Sequence, residues 1–153
     1  MHVLELKVPP VAVVLVTAGF MWLVAWALPA WGFRSPARDL VAMSLALAGA
    51  VTSALGVISF RRAGTTVNPM KPESSSSLVT SGIYRLTRNP MYLGFLLVLL
   101  GWAVFLSSLP AFLFLPAFIL YMNRFQIEPE ERALATLFGE AFAAYKARAR
   151  RWL

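Results

Sequence analysis

The chain has 153 residues, of which 59% are hydrophobic and only 14% charged, with a net charge of +7. Soluble domains carry about 45 to 50% apolar and about 25% charged residues, so this composition excludes an ordinary water-borne globule and points to lipid. Zero cysteines exclude a disulfide framework, a thiolate nucleophile and a zinc site built on sulfur.

Val8 to Phe33 holds no charge. That run exceeds both a signal-peptide core and a buried soluble helix, and predicts a first membrane span over about residues 8–33. Pro9 and Pro10 suit its entrance, where missing amide donors cost little. Trp22, Trp26 and Trp31 crowd its far half, as tryptophans do at a headgroup interface. After the short Arg34 to Asp39 loop, Leu40 to Phe60 predicts a second span. Its Ser44, Ala48, Gly49, Thr52, Ser53 and Gly56 suit close helix packing in lipid.

Residues 61–89 form the next polar section, with Arg61, Arg62, Lys71, Arg85 and Arg88 against Glu73 alone. The positive-inside rule places this loop in the cytoplasm, with both termini on the same side. Ser74 to Ser77 reads as a flexible low-complexity piece. Asn89 to Asn123 is again uncharged and long enough for two short helices, over about 90–106 and 110–124, turning at Ser107 to Pro110. Pro116 is expected to kink the second of these or free a carbonyl. The expected fold is therefore an all-α integral membrane protein, one domain over residues 1–153. It has four transmembrane helices, the last two a helical hairpin, and an amphipathic tail helix over about 129–150.

Pro129, Glu130 and Glu131 suit the first turn of that tail helix, because carboxylates favour the positive end of the helix dipole. Leu134, Leu137, Phe138, Ala141, Phe142, Tyr145 and Trp152 fall on one apolar stripe. Gly139 lies within the stripe and predicts a close helix contact. Lys146 to Arg151 reads as a contact with anionic headgroups rather than with nucleic acid. The lone His2, near the amino terminus, is not taken as a metal ligand.

The motifs become specific in combination. Gly64 to Pro69 reads GTTVNP, Leu78 to Gly94 reads LVTSGIYRLTRNPMYLG, and Glu128 onward reads EPEERALATLFGEAF. In this order, around a helical hairpin, they resemble the isoprenylcysteine carboxyl methyltransferase and phospholipid methyltransferase superfamily. The resemblance implies S-adenosylmethionine as methyl donor and a site facing the cytoplasm from the plasma or inner membrane. It implies a cofactor site over Leu78, Val79, Gly82, Tyr84, Arg88, Asn89, Pro90, Tyr92, Gly94, Glu130 and Glu131. Tyrosine faces would meet the adenine or the sulfonium, glycines would allow close backbone approach, a glutamate would take the ammonium, and Arg88 would take the carboxylate.

Arg124, Gln126 and Glu128 are the candidate catalytic residues. Arg124 and Gln126 are expected at a lateral opening to lipid, where they would orient a small or lipophilic acceptor. The chain departs from many relatives in having Arg88-Asn89-Pro90 rather than Arg-His-Pro, and in placing Gln126 near a position that is arginine in the eukaryotic carboxyl methyltransferases. Phospholipid amine N-methylation, a non-catalytic membrane scaffold and a nicotinamide-dependent reductase are the alternative readings. The partners expected are the bilayer and the methyl acceptor.

Overall fold

Helix α1 (Pro10–Ala27) begins where the sequence places it, with Pro9 at the cap and Pro10 in the first turn. The computed structural model describes residues 5–65 and 70–153. His2 and the Thr66 to Pro69 part of the GTTVNP motif lie outside the described residues. Helices α2 (Arg38–Arg62), α3 (Pro90–Leu106), α4 (Phe114–Met122) and α5 (Glu128–Arg148) follow. Short 3-10 turns occupy Pro29–Trp31, Pro72–Ser74, Gly82–Arg85 and Leu109–Leu113. The described residues contain only isolated strand-like pairs, Gly32 with Ser108 and Thr87 with Arg150.

Two helices, α1 and α2, are long and apolar enough to cross a membrane; α3 is a shorter apolar helix. Their outward faces are apolar too, with Leu15, Trp26, Leu40, Met43 and Leu47 each at least 67% exposed. Side chains of this kind in such number would form a large apolar patch in water, whereas lipid solvates them. This is a membrane-type helical fold.

The contact between α2 and α3 rests on small residues. A Cβ on Gly49 would lie 2.5 Å from the Gly94 carbonyl oxygen, and one on Gly101 2.8 Å from that of Ala42. A Cβ on Gly94 would run into Ser53 Oγ and the Gly49 carbonyl. The two backbones therefore touch, and Ser53 Oγ donates to the Met91 carbonyl at 3.2 Å across the seam. On the other side of α3, Trp102 Nε1 donates to the Ala18 carbonyl of α1 at 3.1 Å. Leu99, Ala103, Phe118, Met122 and Ile127 fill the core between α1, α3 and α4.

The final third differs from the sequence expectation. The segment predicted as one helix over 110–124 is a 3-10 turn, the nine-residue α4, then a π turn over Asn123–Ile127 that runs directly into α5. Pro116 falls in the first turn of α4, where its missing donor is tolerated. Nor is the tail a single helix. Gly139 has φ +47° and ψ −119°, which breaks α5 into two arms. Glu131 and Arg151 would be about 30 Å apart along a straight helix, yet their side chains meet at 2.8 Å. The second arm and the residues after it therefore fold back along the first. A Cβ on Gly139 would meet nothing within 4 Å, so the glycine serves a turn and not the close helix contact expected. The apolar stripe is accordingly split: Phe142 and Tyr145 are buried while Leu137 is 44% exposed.

Two substitutions check these assignments by thermal unfolding in detergent. Gly94→Leu should lower stability by about 1 to 3 kcal/mol through overpacking of the α2–α3 seam, whereas Gly19→Leu, with nothing within 4 Å of its Cβ, should leave it unchanged. Gly139→Ala should cost about 1 to 3 kcal/mol, because an L-residue is strained at that backbone conformation even with room for its methyl group.

Candidate functional site

The fold-back closes a pocket at one end of the bundle. Its walls come from the end of α2 (Phe60), the loop from Pro72 to Tyr84, the start of α3 (Met91, Tyr92) and both arms of α5. Phe60, Leu78, Val79, Leu134 and Phe142 make it largely apolar, and Arg88, Asn89, Glu130 and Glu131 supply charge and polarity. Phe60 and Tyr84 meet edge to face with ring centroids 5.3 Å apart. The Tyr145 hydroxyl donates to the Tyr84 carbonyl at 2.8 Å, tying loop to second arm. Burial pushes both phenols up, Tyr145 to about 12, so they are neutral donors at any working pH.

The two adjacent glutamates have different surroundings. Glu131 accepts from Arg88 Nη2 at 2.8 Å and from Arg151 Nη2 at 2.8 Å, with Lys146 Nζ at 3.6 Å. Burial pushes its carboxyl up, but the Arg151 and Arg88 hydrogen bonds outweigh this and hold it below the usual range. Its contribution to stability is thus present above the ordinary carboxylate pKa and lost on acidification below it. Glu130 instead accepts from the Tyr92 hydroxyl and from Gln126 Nε2, the latter at 2.9 Å, and forms no ion pair among the described residues. Burial, resisted by those two hydrogen bonds, pushes its carboxyl up to about 7.

Arg88 joins three segments. Its backbone N–H donates to the Arg150 carbonyl at 2.8 Å, and its Nη1 donates to the carbonyls of Lys146, at 3.2 Å, and Ala149. Thr87 Oγ1 and Asn89 Nδ2 both donate to the Arg151 carbonyl, at 3.2 and 2.9 Å. The Nε–H of Arg88 is buried without a partner among the described residues.

Eight of the eleven residues expected at a cofactor site line this pocket: Leu78, Val79, Tyr84, Arg88, Asn89, Tyr92, Glu130 and Glu131. The other three lie outside its wall. Gly94 serves the α2–α3 seam, Gly82 turns the loop at φ +62° against Ser59, and Pro90 starts α3. Of the expected catalytic residues, Arg124 pairs with Glu5 at 2.9 Å and Glu128 at 3.8 Å, away from the pocket. Glu128 also approaches Arg151 at 3.9 Å. Gln126 is 2% exposed and holds Glu130, so it faces no opening to lipid. The serine run expected to be flexible is fastened to the end of α2, with Ser77 Oγ donating to the Ala63 carbonyl at 3.2 Å, and Ser75 and Ser77 join the pocket wall. Sequence reasoning missed Phe60 and Arg151. A lone aromatic at a helix end and one cation in a basic run carry no signal of their own.

The model of the phospholipid methyltransferase family matches residues 37–141. An uncharacterized protein of Haemophilus influenzae is 46% identical over 63 residues, 41% of this chain and all of that protein. Proteins of Oryza sativa subsp. indica and japonica, each described as a "probable protein-S-isoprenylcysteine O-methyltransferase", are 35% identical over 108 residues. That alignment covers 69% of this chain and 55% of each rice protein, so the chain spans about half their length. No solved structure matches. With a family match over more than half its length, carrying most of the pocket's loop and first arm, the chain belongs to the phospholipid methyltransferase family.

Proposed function

We propose that the chain is an integral membrane methyltransferase that uses S-adenosylmethionine to methylate a small or lipophilic acceptor drawn from the bilayer. The observation that carries this reading is Glu130: a half-buried carboxylate with no cation of its own among the described residues, set among aromatic rings in an apolar pocket. S-adenosylmethionine supplies a methyl group on a sulfonium, and also bears an ammonium, a carboxylate and an adenine. The residues present fit it. Glu130 is free to take the ammonium, which Glu131, already held by three cations, is not. The unmet Nε–H of Arg88 is a donor for a carboxylate. Phe60, Tyr84 and Tyr92 offer aromatic faces for adenine or sulfonium.

In this reading the protein acts by position and exclusion. Tyr92 and Gln126 fix Glu130, the α5 fold-back keeps water from the apolar walls, and donor and acceptor are held near contact without a nucleophilic side chain. The apolar walls and the names of the rice relatives support a lipophilic acceptor. Four spans, over residues 8–33, 40–60, 90–106 and 110–124, support a pocket at the cytoplasmic face, because the loop that builds it carries the basic excess. The continuous helical path from Leu109 through Ile127 is long enough for the fourth.

Calorimetric titration with S-adenosylhomocysteine tests the site. Glu130→Gln should weaken binding about ten- to a hundredfold, the loss of a charge-assisted hydrogen bond; unchanged affinity removes Glu130 from the site. The pH profile gives an independent sign. Glu130 ionises near 4.5 when unfolded and near 7 when folded, so the ligand-free protein loses stability as pH rises between these values and levels off above. A ligand ammonium prefers the carboxylate, so affinity should rise across the same window and flatten above about 7. In Glu130→Gln this rise should vanish.

Cysteine accessibility tests the topology. A Ser35→Cys thiol should label from outside intact cells and a Ser75→Cys thiol should be protected; the reverse pattern inverts the orientation.

A further inference from the structure

Five exposed arginines at the pocket end, Arg61, Arg62, Arg85, Arg148 and Arg150, have no carboxylate partner among the described residues. They come from three separate segments that the fold draws together. The Phe60–Tyr84 ring contact brings the end of α2 to the loop. The Tyr145 to Tyr84 hydrogen bond and the pairing of Thr87 with Arg150 bring the loop to the end of α5. The acids that might neutralise this rim are turned elsewhere. Glu131 is 11% exposed and bound to Arg88, Arg151 and Lys146, and Glu128 faces Arg124 and Arg151. Even if Glu73 and Glu140, the exposed acids without an ion pair among the described residues, are counted in, two carboxylates face five arginines and the rim keeps an excess of positive charge.

An exposed apolar side chain follows Arg85 in the same loop. Leu86 is 70% exposed, while its neighbour Thr87 is 1% exposed and bonded to the Arg151 carbonyl. Turning Thr87 inward to hold the carboxyl-terminal residues leaves Leu86, next to Arg85 in the chain, directed outward. A leucine beside an unpaired cation suits the boundary between headgroups and acyl chains, because phosphates meet the arginines and the leucine is removed from water. A polynucleotide would leave the leucine without a partner.

We propose that the rim around the pocket is a docking face for anionic lipid headgroups, with Arg85, Arg148 and Arg150 binding phosphate and Leu86 inserted beneath it. The proposal rests on the membrane reading above but not on methyl transfer. It makes the lipid next to the pocket a selected one, because the segments that hold the phosphate also hold Tyr84, Arg88 and Tyr145 in the pocket wall.

Native mass spectrometry of the detergent-solubilised chain with equal phosphatidylglycerol and phosphatidylcholine should show preferential retention of phosphatidylglycerol. Each arginine removed in Arg85→Gln, Arg148→Gln and Arg150→Gln should reduce that preference about fivefold, and the triple variant should lose it. The chain has no native cysteine, so a fluorophore on Leu86→Cys reports one position. In bilayer discs it should be quenched by a headgroup-level nitroxide lipid when phosphatidylglycerol is present, and released by salt. An unchanged lipid preference in the triple variant, or a label blind to phosphatidylglycerol, overturns the proposal, as does tighter retention of a DNA oligonucleotide than of phosphatidylglycerol. S-adenosylhomocysteine titration on the same samples keeps the two readings apart: loss of cofactor binding by the wild type with lipid preference intact sinks the methyltransferase reading alone.

Discussion

The ion pair between Arg88 and Glu131 is the constraint on which the pocket depends. Both side chains are nearly buried, at 10% and 11% exposure. Removing Glu131 would strand the Arg88 charge in a poorly solvated place, at a cost of about 3 to 5 kcal/mol, well above what such a pair adds over an apolar substitute; Glu131 without Arg88 would still keep Arg151 and Lys146. The pair also does what an apolar pair could not. The guanidinium forks to Glu131 on the first arm of α5 and to the Lys146 and Ala149 carbonyls at the end of the second. One side chain thereby sets the loop, the first arm and the fold-back relative to each other. Lysine, with a single charged nitrogen, could not span these acceptors.

Beneath this clasp lies a second constraint, the backbone contact of α2 with α3. Because Gly49, Gly94 and Gly101 let the helices touch, Phe60 at the end of α2 and Tyr92 at the start of α3 come to line one pocket. Ser53 locks the register through the Met91 carbonyl. In lipid, where apolar side chains gain little by leaving one another's company for acyl chains, close packing of this kind is a principal source of helix association. The membrane-embedded part is thus a rigid base. The pocket is walled largely by segments that emerge from it.

What could be read from the sequence follows from which physical signals are local. Charge gaps and prolines mark α1 and α3, and α3 runs from Pro90 to Leu106, the span expected from them. The pocket's loop residues are legible because glycine, tyrosine, arginine and Asn-Pro are dense there at the mouth of an apolar helix. The π turn before α5 is not legible, since its apolar pattern matches ordinary helix. The fold-back is concealed for a related reason: Leu134, Phe138, Phe142 and Tyr145 keep helical spacing straight through Gly139. Only the glycine hints at the break, and a glycine in a helix is compatible with close packing as well. Arg124 and Gln126 are two residues apart in one helical stretch and so point to different sides, one to Glu5 and the other to Glu130. Spacing without the partner's position does not separate those outcomes.

The fold-back at Gly139 also sets when the pocket can exist. During synthesis the apolar helices can enter the bilayer and pair as soon as α3 is made, since their contacts lie within the first two thirds of the chain. Arg88, however, finds Glu131 only 43 residues later and its carbonyl acceptors on Lys146, Ala149 and Arg150 some sixty residues later. Until those residues are made and the second arm has swung back, Phe142 and Tyr145 are absent from the wall. The nascent protein thus passes through a stage with its helices assembled and the pocket open, and the pocket closes in a late step, when the second arm docks against the loop beside α3.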